Sequence, residues 1–523
     1  MNEPKFLTHT AKGVQLWSQQ VNNKSVQIKE ILIEGEEARL INSCFVSDDG
    51  NYLAIALCDS VRIYRQEQPN CGFNKVLFSL NVRDARSIQF SPKLSWVVIQ
   101  TLMGSPEEKN LKIYNLSTGE LNYETNDKRR DSIKWTNDES LAFRMVGSEL
   151  YFYENNDFTK PTKKISQKIF SYSLAHNQKG CVYLAIFIKG TKGSPSSVKV
   201  YAYPHTENII ASQSLFKADS VEIKWNKKGD AMLITAIKDI DTTGKSYYGE
   251  SSLHFLDLKG NACLIGGKKE GPVHSCEWLP NNDGFIAVYG RTPAAVTLHN
   301  NKGDPIFEFG EVPVNSISFN PFGNLVAFTG FGNLSGDVYI WNLKTRTKIS
   351  HFQASDTTHF CWGADGLNLL TSTTYARLKV ANGFKVWDFL GNLLHTEDCR
   401  DEGSVPMFKM LPIPSSTFQP PEIGANVKGK ILSDIPVQRY IPPFLRNKQQ
   451  QQEFAKRLEM KNKPDGDALM KEKKLRNLNK KLEQIEALKK SLSDGKQLEK
   501  NQLEKIEKEN EIISEINALK LNA

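Results

Sequence analysis

Short stretches in which apolar and polar residues alternate run through most of the first 412 residues. The stretch 315–343 shows this most fully. It predicts a strand around Phe319, a turn at 321–323, a strand over 325–329 and a third strand around Trp341. Such a unit has two apolar faces and cannot bury both alone, so it must stack against copies of itself.

A first signature marks these copies, an apolar anchor followed about four residues later by a turn glycine. It occurs at Val46/Gly50, His176/Gly180, Trp225/Gly229, Phe319/Gly323 and Trp362/Gly366. Trp278/Gly284 is predicted to carry two extra loop residues, and Phe90 and Trp135 are anchors without the glycine. The anchors lie 41 to 53 residues apart, which is the period of a four-stranded propeller blade.

A second signature is one alternating strand after each anchor. Its copies are 61–65, 111–116, 150–154, 198–203, 253–258, 296–300, 338–343 and 384–389.

Two parts of the pattern remain unmatched. The strand Val14–Trp17 has no anchor before it, and the anchor-like strand Val405–Pro412 has no blade after it. If the two complete one blade, with the C-terminal strand inside and the N-terminal strands outside, the ring closes without open sheet edges. The sequence therefore predicts an all-β propeller of nine blades over 1–412. Eight blades would require the N-terminal copy to be spurious.

The composition changes after the repeats. Prolines between 412 and 443 exclude helix and central strands, so residues 413–466 are predicted to form a Pro-rich, basic, flexible linker. Residues 467–523 show leucine and isoleucine at helical spacing, which predicts basic amphipathic C-terminal α-helices.

The positive charge is concentrated after the predicted ring. The chain carries a net charge of +8, and residues 424–482 alone hold 15 Lys and Arg against 6 Asp and Glu. Such a concentration indicates a polyanionic partner. The candidate RNA- or ribosome-binding residues in this tail are Arg439, Tyr440, Phe444, Arg446, Lys471, Lys473, Lys474, Arg476, Lys480 and Lys481. A solvated helix face is the alternative, although such faces usually mix both signs.

Propeller topology provides a second candidate surface. Loops from the outer strand of one blade to the inner strand of the next open on the same face as loops between the two middle strands. The candidates there, for RNA or protein binding, are Arg83, Arg86, Lys128, Arg129, Arg130, Lys268, Lys269, Arg291, Arg377 and Lys379, with Lys189, Lys192 and Lys245 in the same set of loops. The alternative is ordinary solvated loops on a ring that is nearly neutral.

Motifs of catalysis are missing from the sequence. It has no G-x-S-x-G, no metal-ligand spacing of histidines and no C-x-x-C pair, and Gly244-Lys245-Ser246 lacks the earlier glycine of a phosphate-binding loop. No apolar run approaches the roughly 20 residues of a membrane helix, and the N-terminus lacks a signal-peptide layout. We therefore expect a cytoplasmic, monomeric protein that is not an enzyme, with no catalytic residue, cofactor, metal or membrane partner.

Five stretches resemble the eukaryotic translation initiation factor 2A family. They are GFGNLSGDVYIWNLK at 330–344, SDTTHFCWGADG at 355–366, TYARLKVANGFKVW at 374–387, RYIPPFLRNK at 439–448 and GKQLEKNQLEKIEKE at 495–509. The sequence departs from generic WD repeats in having a single Trp-Asp pair, at 387–388.

The resemblance implies a WD-type propeller protein that brings initiator methionyl-tRNA to the small (40S) ribosomal subunit. It would act without GTP and in a codon-dependent way on selected mRNAs, with other initiation factors as further candidate partners. The alternative is a scaffold propeller whose C-terminal helices form a coiled coil with a protein partner.

Overall fold

The computed structural model of the chain describes residues 3–432 and Ile485, with internal gaps. The gaps are 11–12, 21–24, 67–71, 74, 103–107, 130–132, 178–179, 192–193, 217, 239–249, 267–268, 375–381, 400–406, 411–417 and 425–426.

The described strands form nine antiparallel sheets of four strands each, which are the blades of a propeller. Blade 1 contains β1 (Lys5–Thr10), β2 (Gly13–Gln20), β3 (Ser25–Glu34) and β36 (Met407–Met410). After the 3-10 helix Gly35–Leu40, blade 2 contains β4 (Ile41–Val46), β5 (Tyr52–Leu57), β6 (Val61–Arg65) and β7 (Val76–Leu80). Blade 3 contains β8 (Ala85–Phe90), β9 (Trp96–Thr101), β10 (Leu111–Asn115) and β11 (Leu121–Thr125). Blade 4 contains β12 (Ile133–Trp135), β13 (Leu141–Val146), β14 (Glu149–Glu154) and β15 (Lys163–Ile165).

The remaining blades follow in chain order. Blade 5 contains β16 (Ile169–His176), β17 (Val182–Ile188), β18 (Ser196–Tyr203) and β19 (Ala211–Leu215). Blade 6 contains β20 (Ser220–Trp225), β21 (Ala231–Lys238), β22 (Glu250–Asp257) and β23 (Ala262–Ile265). Blade 7 contains β24 (Val273–Trp278), β25 (Gly284–Tyr289), β26 (Ala294–Asn300) and β27 (Pro305–Val312). Blade 8 contains β28 (Ser316–Phe319), β29 (Leu325–Gly330), β30 (Asp337–Asn342) and β31 (Thr347–Gln353), and blade 9 contains β32 (His359–Trp362), β33 (Asn368–Thr373), β34 (Gly383–Asp388) and β35 (Leu393–Asp398).

The ring is closed by pairing the two ends of the repeat region. The first strands of successive blades contact one another, as β24 does β28 and β28 does β32, so the first strand of each blade lies innermost. In blade 1 this place belongs to β36, which pairs antiparallel with β1 from Phe6↔Met410 to His9↔Met407. The predicted nine-bladed propeller, with the C-terminal strand inside and the N-terminal strands outside, is confirmed.

Blade 1 packs on blade 9 through a small aromatic cluster. Phe384 of blade 9 lies edge-on to Phe6 at 5.1 Å and to Trp17 at 5.0 Å between ring centroids. The indole of Trp17 donates a hydrogen bond to Thr8 Oγ1 at 2.8 Å, and Trp387 donates to Thr371 Oγ1 at 3.0 Å. Each tryptophan is therefore buried with its polar N–H satisfied by the neighbouring strand.

The turn after the inner strand repeats in each of blades 2 to 9. The residue four positions after each anchor has a positive φ, between 57° and 80°. In five blades this residue is the predicted glycine, and in the others it is Leu94, Glu139 or Asn282. The prediction that the Trp278 turn carries two extra residues is wrong, because Asn282 takes the turn position and Gly284 begins β25. Asparagine tolerates the left-handed conformation, so the turn keeps its length.

The described residues 418–424 and 427–432, here called the strap, follow the outer edge of blades 8 and 9. The Gly429 N–H donates to Ile349 O, and the His351 N–H donates to Lys430 O, both at 2.8 Å. Ile423 and Val427 pack on the core of these blades. The strap extends blade 8 beyond β31, although it falls in the segment predicted as linker. The predicted domain limits stay a prediction.

Candidate nucleic-acid interface

The propeller has two faces, named here by their connections. The first face carries the loops between blades and the loops between the two middle strands of a blade. The second face carries the turns between inner and second strands and between third and outer strands. The cations predicted in loops belong to the first face. Among them, Arg130, Lys192, Lys245, Lys268, Arg377 and Lys379 lie outside the described residues, as do all the tail candidates from Arg439 to Lys481.

Arg129 serves the packing of blades. Its guanidinium donates to Phe170 O at 3.0 Å and Gly147 O at 2.9 Å, in blades 5 and 4. Its own carbonyl accepts a hydrogen bond from Gln100 Nε2 of blade 3 at 2.6 Å. A cation whose donors are held by two backbone carbonyls is a structural element, and fewer of its N–H groups remain for a phosphate.

A buried ion pair lies directly beside it. Arg144 Nε is 3.1 Å from Asp127 Oδ2, and their side chains are only 6% and 7% exposed. Asp127 Oδ1 also accepts the Arg129 backbone N–H at 3.0 Å. The loop between blades 3 and 4 is thus fixed by charge-assisted bonds in a site of low dielectric constant.

Two other first-face cations are neutralised by carboxylates. Lys269 Nζ lies 2.5 Å from Glu311 Oε2, and Lys189 Nζ lies 2.9 Å from Asp219 Oδ1. Such partly exposed pairs add little stability. They do, however, reduce the net positive field of the loops that carry them.

Four predicted cations remain exposed without an ion pair among the described residues: Arg83, Arg86, Lys128 and Arg291. Arg83 precedes β8, Arg86 is the second residue of β8 and Lys128 precedes β12, so these three lie in or directly beside neighbouring interblade loops. Arg291 belongs to blade 7, on another part of the ring. The structure therefore brings three of the predicted residues onto neighbouring loops and separates the fourth from them.

Sequence reasoning missed two exposed aromatic residues on this face. Phe216, directly after β19, is 89% exposed, and Phe170 at the start of β16 is 47% exposed. Phe170 packs edge-on to Phe187 at 5.9 Å, with Lys189 Nζ 5.9 Å from its ring centroid. The alternation of side chains along β19 could have indicated this exposure: Leu215 is buried, so the next residue, Phe216, is expected to point away from the core.

Sequence reasoning also missed lysines on the second face. Lys259, Lys302 and Lys344 are exposed at the turns between third and outer strands of blades 6, 7 and 8. The signal was in the sequence as DLKGN at 257–261, NNKGD at 300–304 and NLKTR at 342–346.

The described residues include no group of three or more His, Cys, Asp or Glu placed to hold a metal ion. Burial raises the pKa of the Cys44 and Cys361 thiols to about 12 and that of Cys276 to about 11. These thiols stay protonated at neutral pH and are poor nucleophiles. In the same part of the chain, no helix has the length and hydropathy of a membrane span.

The fold defines the class of protein, a nine-bladed β-propeller. A Drosophila melanogaster protein named Eukaryotic translation initiation factor 2A is 33% identical over 461 residues, which cover 85% of this chain and 72% of that protein. The chain therefore belongs to the eukaryotic translation initiation factor 2A family. The family pattern described as "Eukaryotic translation initiation factor eIF2A" matches residues 213–402.

Other relatives agree with this assignment. The Schizosaccharomyces pombe protein of the same name is 28% identical over 581 residues and is covered to 98%, as is this chain. A solved structure described as "Crystal structure of the eukaryotic initiation factor" superposes with a TM-score of 0.69 at 25% identity, covering 79% of this chain and 100% of that one. These comparisons support a translation initiation factor built on a propeller.

Proposed function

We propose that this protein is a non-enzymatic, cytoplasmic initiation factor that binds the small ribosomal subunit. It directs initiator methionyl-tRNA there in a GTP-independent, codon-dependent manner on a subset of mRNAs. Family membership supports the general role. The observation that carries ribosome binding is the excess of 15 Lys and Arg over 6 Asp and Glu in residues 424–482, on a chain whose other residues nearly balance. Such an excess suits contact with RNA phosphates.

The proposal assigns different tasks to the propeller and to the tail. The propeller has loops held by hydrogen bonds and ion pairs, and the basic tail follows the strap in the sequence. In this proposal the tail residues from Arg439 to Lys481 hold the ribosomal RNA. The exposed cations Arg83, Arg86 and Lys128 form a second contact, and Phe216 lies on the same face.

Co-sedimentation with purified 40S subunits at low and high salt tests the proposal. Full-length protein is compared with a variant that ends at Leu432, because an earlier end would remove the strap residues that bond to blades 8 and 9. We expect the shorter chain to lose most binding, and full-length binding to fall steeply with salt. If the shorter chain binds equally well, the tail is not the anchor.

The charge of the tail can be tested without shortening the chain. A full-length variant with Lys471, Lys473, Lys474, Lys480 and Lys481 changed to Ser should behave like the truncated protein. If it binds normally while truncation abolishes binding, the apolar helix stripe is the contact, as in a coiled-coil scaffold.

A separate experiment tests the GTP independence. Binding of initiator methionyl-tRNA to the subunit is measured in the presence of the full-length protein, without nucleotide and with GTP. A requirement for GTP would contradict the proposed mechanism.

A further inference from the structure

Three neighbouring blades place a lysine at the same point of the second face. In blades 6, 7 and 8, an Asp or Asn side chain at the end of the third strand accepts the backbone N–H of the residue two positions later. That residue is Lys259, Lys302 or Lys344, and the N–H to Oδ1 distances are 2.9, 2.8 and 3.0 Å. These side-chain-capped turns fix the backbone at each lysine.

The turns between third and outer strands form the rim of the second face. In blades 7, 8 and 9 each such turn contacts the blade before it, so the turns follow one another along this rim. In blade 7, Lys302 O accepts a hydrogen bond from Cys263 Sγ of blade 6 at 3.4 Å. In blade 8, the Arg346 guanidinium lies 5.4 Å from the ring centroid of Phe307 in blade 7. In blade 9, Gly391 packs on Phe352 of blade 8 so closely that a Cβ would lie 2.9 Å from its ring.

The strap continues this series on blade 9. The position equivalent to the lysines is Leu390 there, two residues after Asp388. The Lys430 N–H donates to Leu390 O at 2.8 Å, and the Lys430 side chain is exposed. The strap thus supplies the lysine that the turn of blade 9 lacks. We call Lys259, Lys302, Lys344 and Lys430 the rim row.

The charges of the rim row are available to a partner. All four side chains are exposed, and within the described residues none has an ion pair or a side-chain hydrogen bond. Two of these turns also carry a carboxylate, and each accepts hydrogen bonds within its own turn: Asp257 from the N–H groups of Lys259 and Asn261, and Asp304 from Asn300 Nδ2.

The row does not extend around the whole rim. The equivalent residue in blade 3 is Ser117, with Glu120 in the same turn. In blade 5 the corresponding turn contains Glu207, whose carboxylate pairs with Lys163. In blade 4 the turn carries one exposed lysine, Lys160, but it lies six residues after the end of β14 and not two. Among the turns of blades 3 to 8, a lysine two residues after the third strand therefore occurs in the described residues of blades 6, 7 and 8.

We propose that the rim row binds the sugar-phosphate backbone of a folded RNA. Lysine ammonium groups are compact point charges that contact phosphates without selecting a base. One lysine per blade, held on rigid turns, suits an extended polyanion. This site contains none of the tail residues and would give the propeller an RNA contact of its own.

Lysine-reactivity footprinting of the full-length protein tests the proposal site by site. The probe is an RNA hairpin of about 20 base pairs, and amine acylation is read by mass spectrometry with and without it. We expect protection at Lys259, Lys302, Lys344 and Lys430, and no protection at the exposed Lys93, Lys109 and Lys160 on blades 3 and 4. Equal reactivity of the rim row with and without RNA would overturn the proposal, whatever the tail does.

Titration of a triple variant adds the affinity. Lys259→Ser/Lys302→Ser/Lys344→Ser should weaken hairpin binding about tenfold or more near 0.1 M salt, and should lower the slope of log affinity against log salt by about 2 to 3. The matched control, Lys93→Ser/Lys109→Ser/Lys160→Ser, removes the same charge and should leave both unchanged. If the two triple variants weaken hairpin binding equally, the loss comes from the change in net charge and not from the position of the rim row, which would overturn the proposal.

Two further readings complete the test. Polyglutamate that competes as well as the hairpin would indicate an acidic protein partner and would overturn the RNA assignment. The footprinting is repeated on the tail variant with the five lysines changed to Ser. If that variant no longer sediments with 40S subunits but its rim row is still protected by the hairpin, the rim-row site is supported independently of the ribosome proposal.

Discussion

Particular cations on the two faces of the propeller differ in their partners, although neither face is uniform. Arg83 and Arg291 of the first face have no ion pair among the described residues, and Lys163 of the second face pairs with Glu207 of blade 5. On the first face, Arg129 and Lys269 are occupied by carbonyls or carboxylates of neighbouring blades. On the second face, lysines such as Lys302 and Lys344 have no such partner among the described residues.

The cause is topological. A loop between blades crosses a seam lined with the polar groups of two sheets, whereas a turn at the rim projects into solvent. The number of Lys and Arg residues on a surface therefore does not tell how many of them are available to bind an anionic partner.

The seam between blades 3 and 4 should be the most sensitive point. Arg144→Met leaves the Asp127 carboxylate buried without its partner, which should destabilise the fold by about 3–5 kcal/mol. Lys269→Met removes an exposed pair of the same face and should cost less than about 1 kcal/mol. Urea unfolding followed by tryptophan fluorescence measures both. If the two variants lowered the urea midpoint equally, the buried Arg144–Asp127 pair would contribute no more to stability than the partly exposed Lys269–Glu311 pair.

Repeats made the architecture predictable, but side-chain partners did not follow from them. Two unmatched strands at the ends of the repeat region were enough to predict the closed ring, because edges must pair. In contrast, the carbonyls that hold Arg129 belong to residues 147 and 170, and nothing in the local sequence joins them. The prolines predicted an extended segment after the ring, but its docking depends on the free edge of β31, a property of the assembled blade.

Arg129 itself provides the next test. Arg129→Lys keeps the charge but loses the planar fork that reaches two carbonyls, so we expect a loss of about 1–3 kcal/mol. Arg83→Lys changes an exposed cation in the neighbouring loop and should leave the stability unchanged. Thermal unfolding of the two variants beside the unchanged protein measures this. If Arg129→Lys unfolded at the same temperature as the unchanged protein, the two carbonyl contacts would not stabilise the fold, and Arg129 would again be a candidate for RNA binding.

The smallest effect concerns a carboxylate at the first-face end of β30. Burial favours the neutral acid of Asp337, but hydrogen bonds from His351 Nε2, at 2.8 Å, and from the Ser335 hydroxyl outweigh it, so the pKa of Asp337 is lowered. A lowered pKa means that the carboxylate stabilises the fold above its unfolded pKa of about 3.9, and that this contribution is lost as the pH falls through the folded value.

Asp337→Asn should therefore cost about 1 kcal/mol at neutral pH and should flatten the acid limb of the stability curve between about pH 4 and the lower folded pKa. His351→Phe can keep the ring stacked on Tyr339, whose centroid lies 4.0 Å from that of the imidazole, while it removes the hydrogen bond. It should reproduce part of the same loss. Urea midpoints measured from pH 2.5 to pH 7 test both variants. If Asp337→Asn retains the full acid sensitivity of the unchanged protein, other carboxylates control this limb.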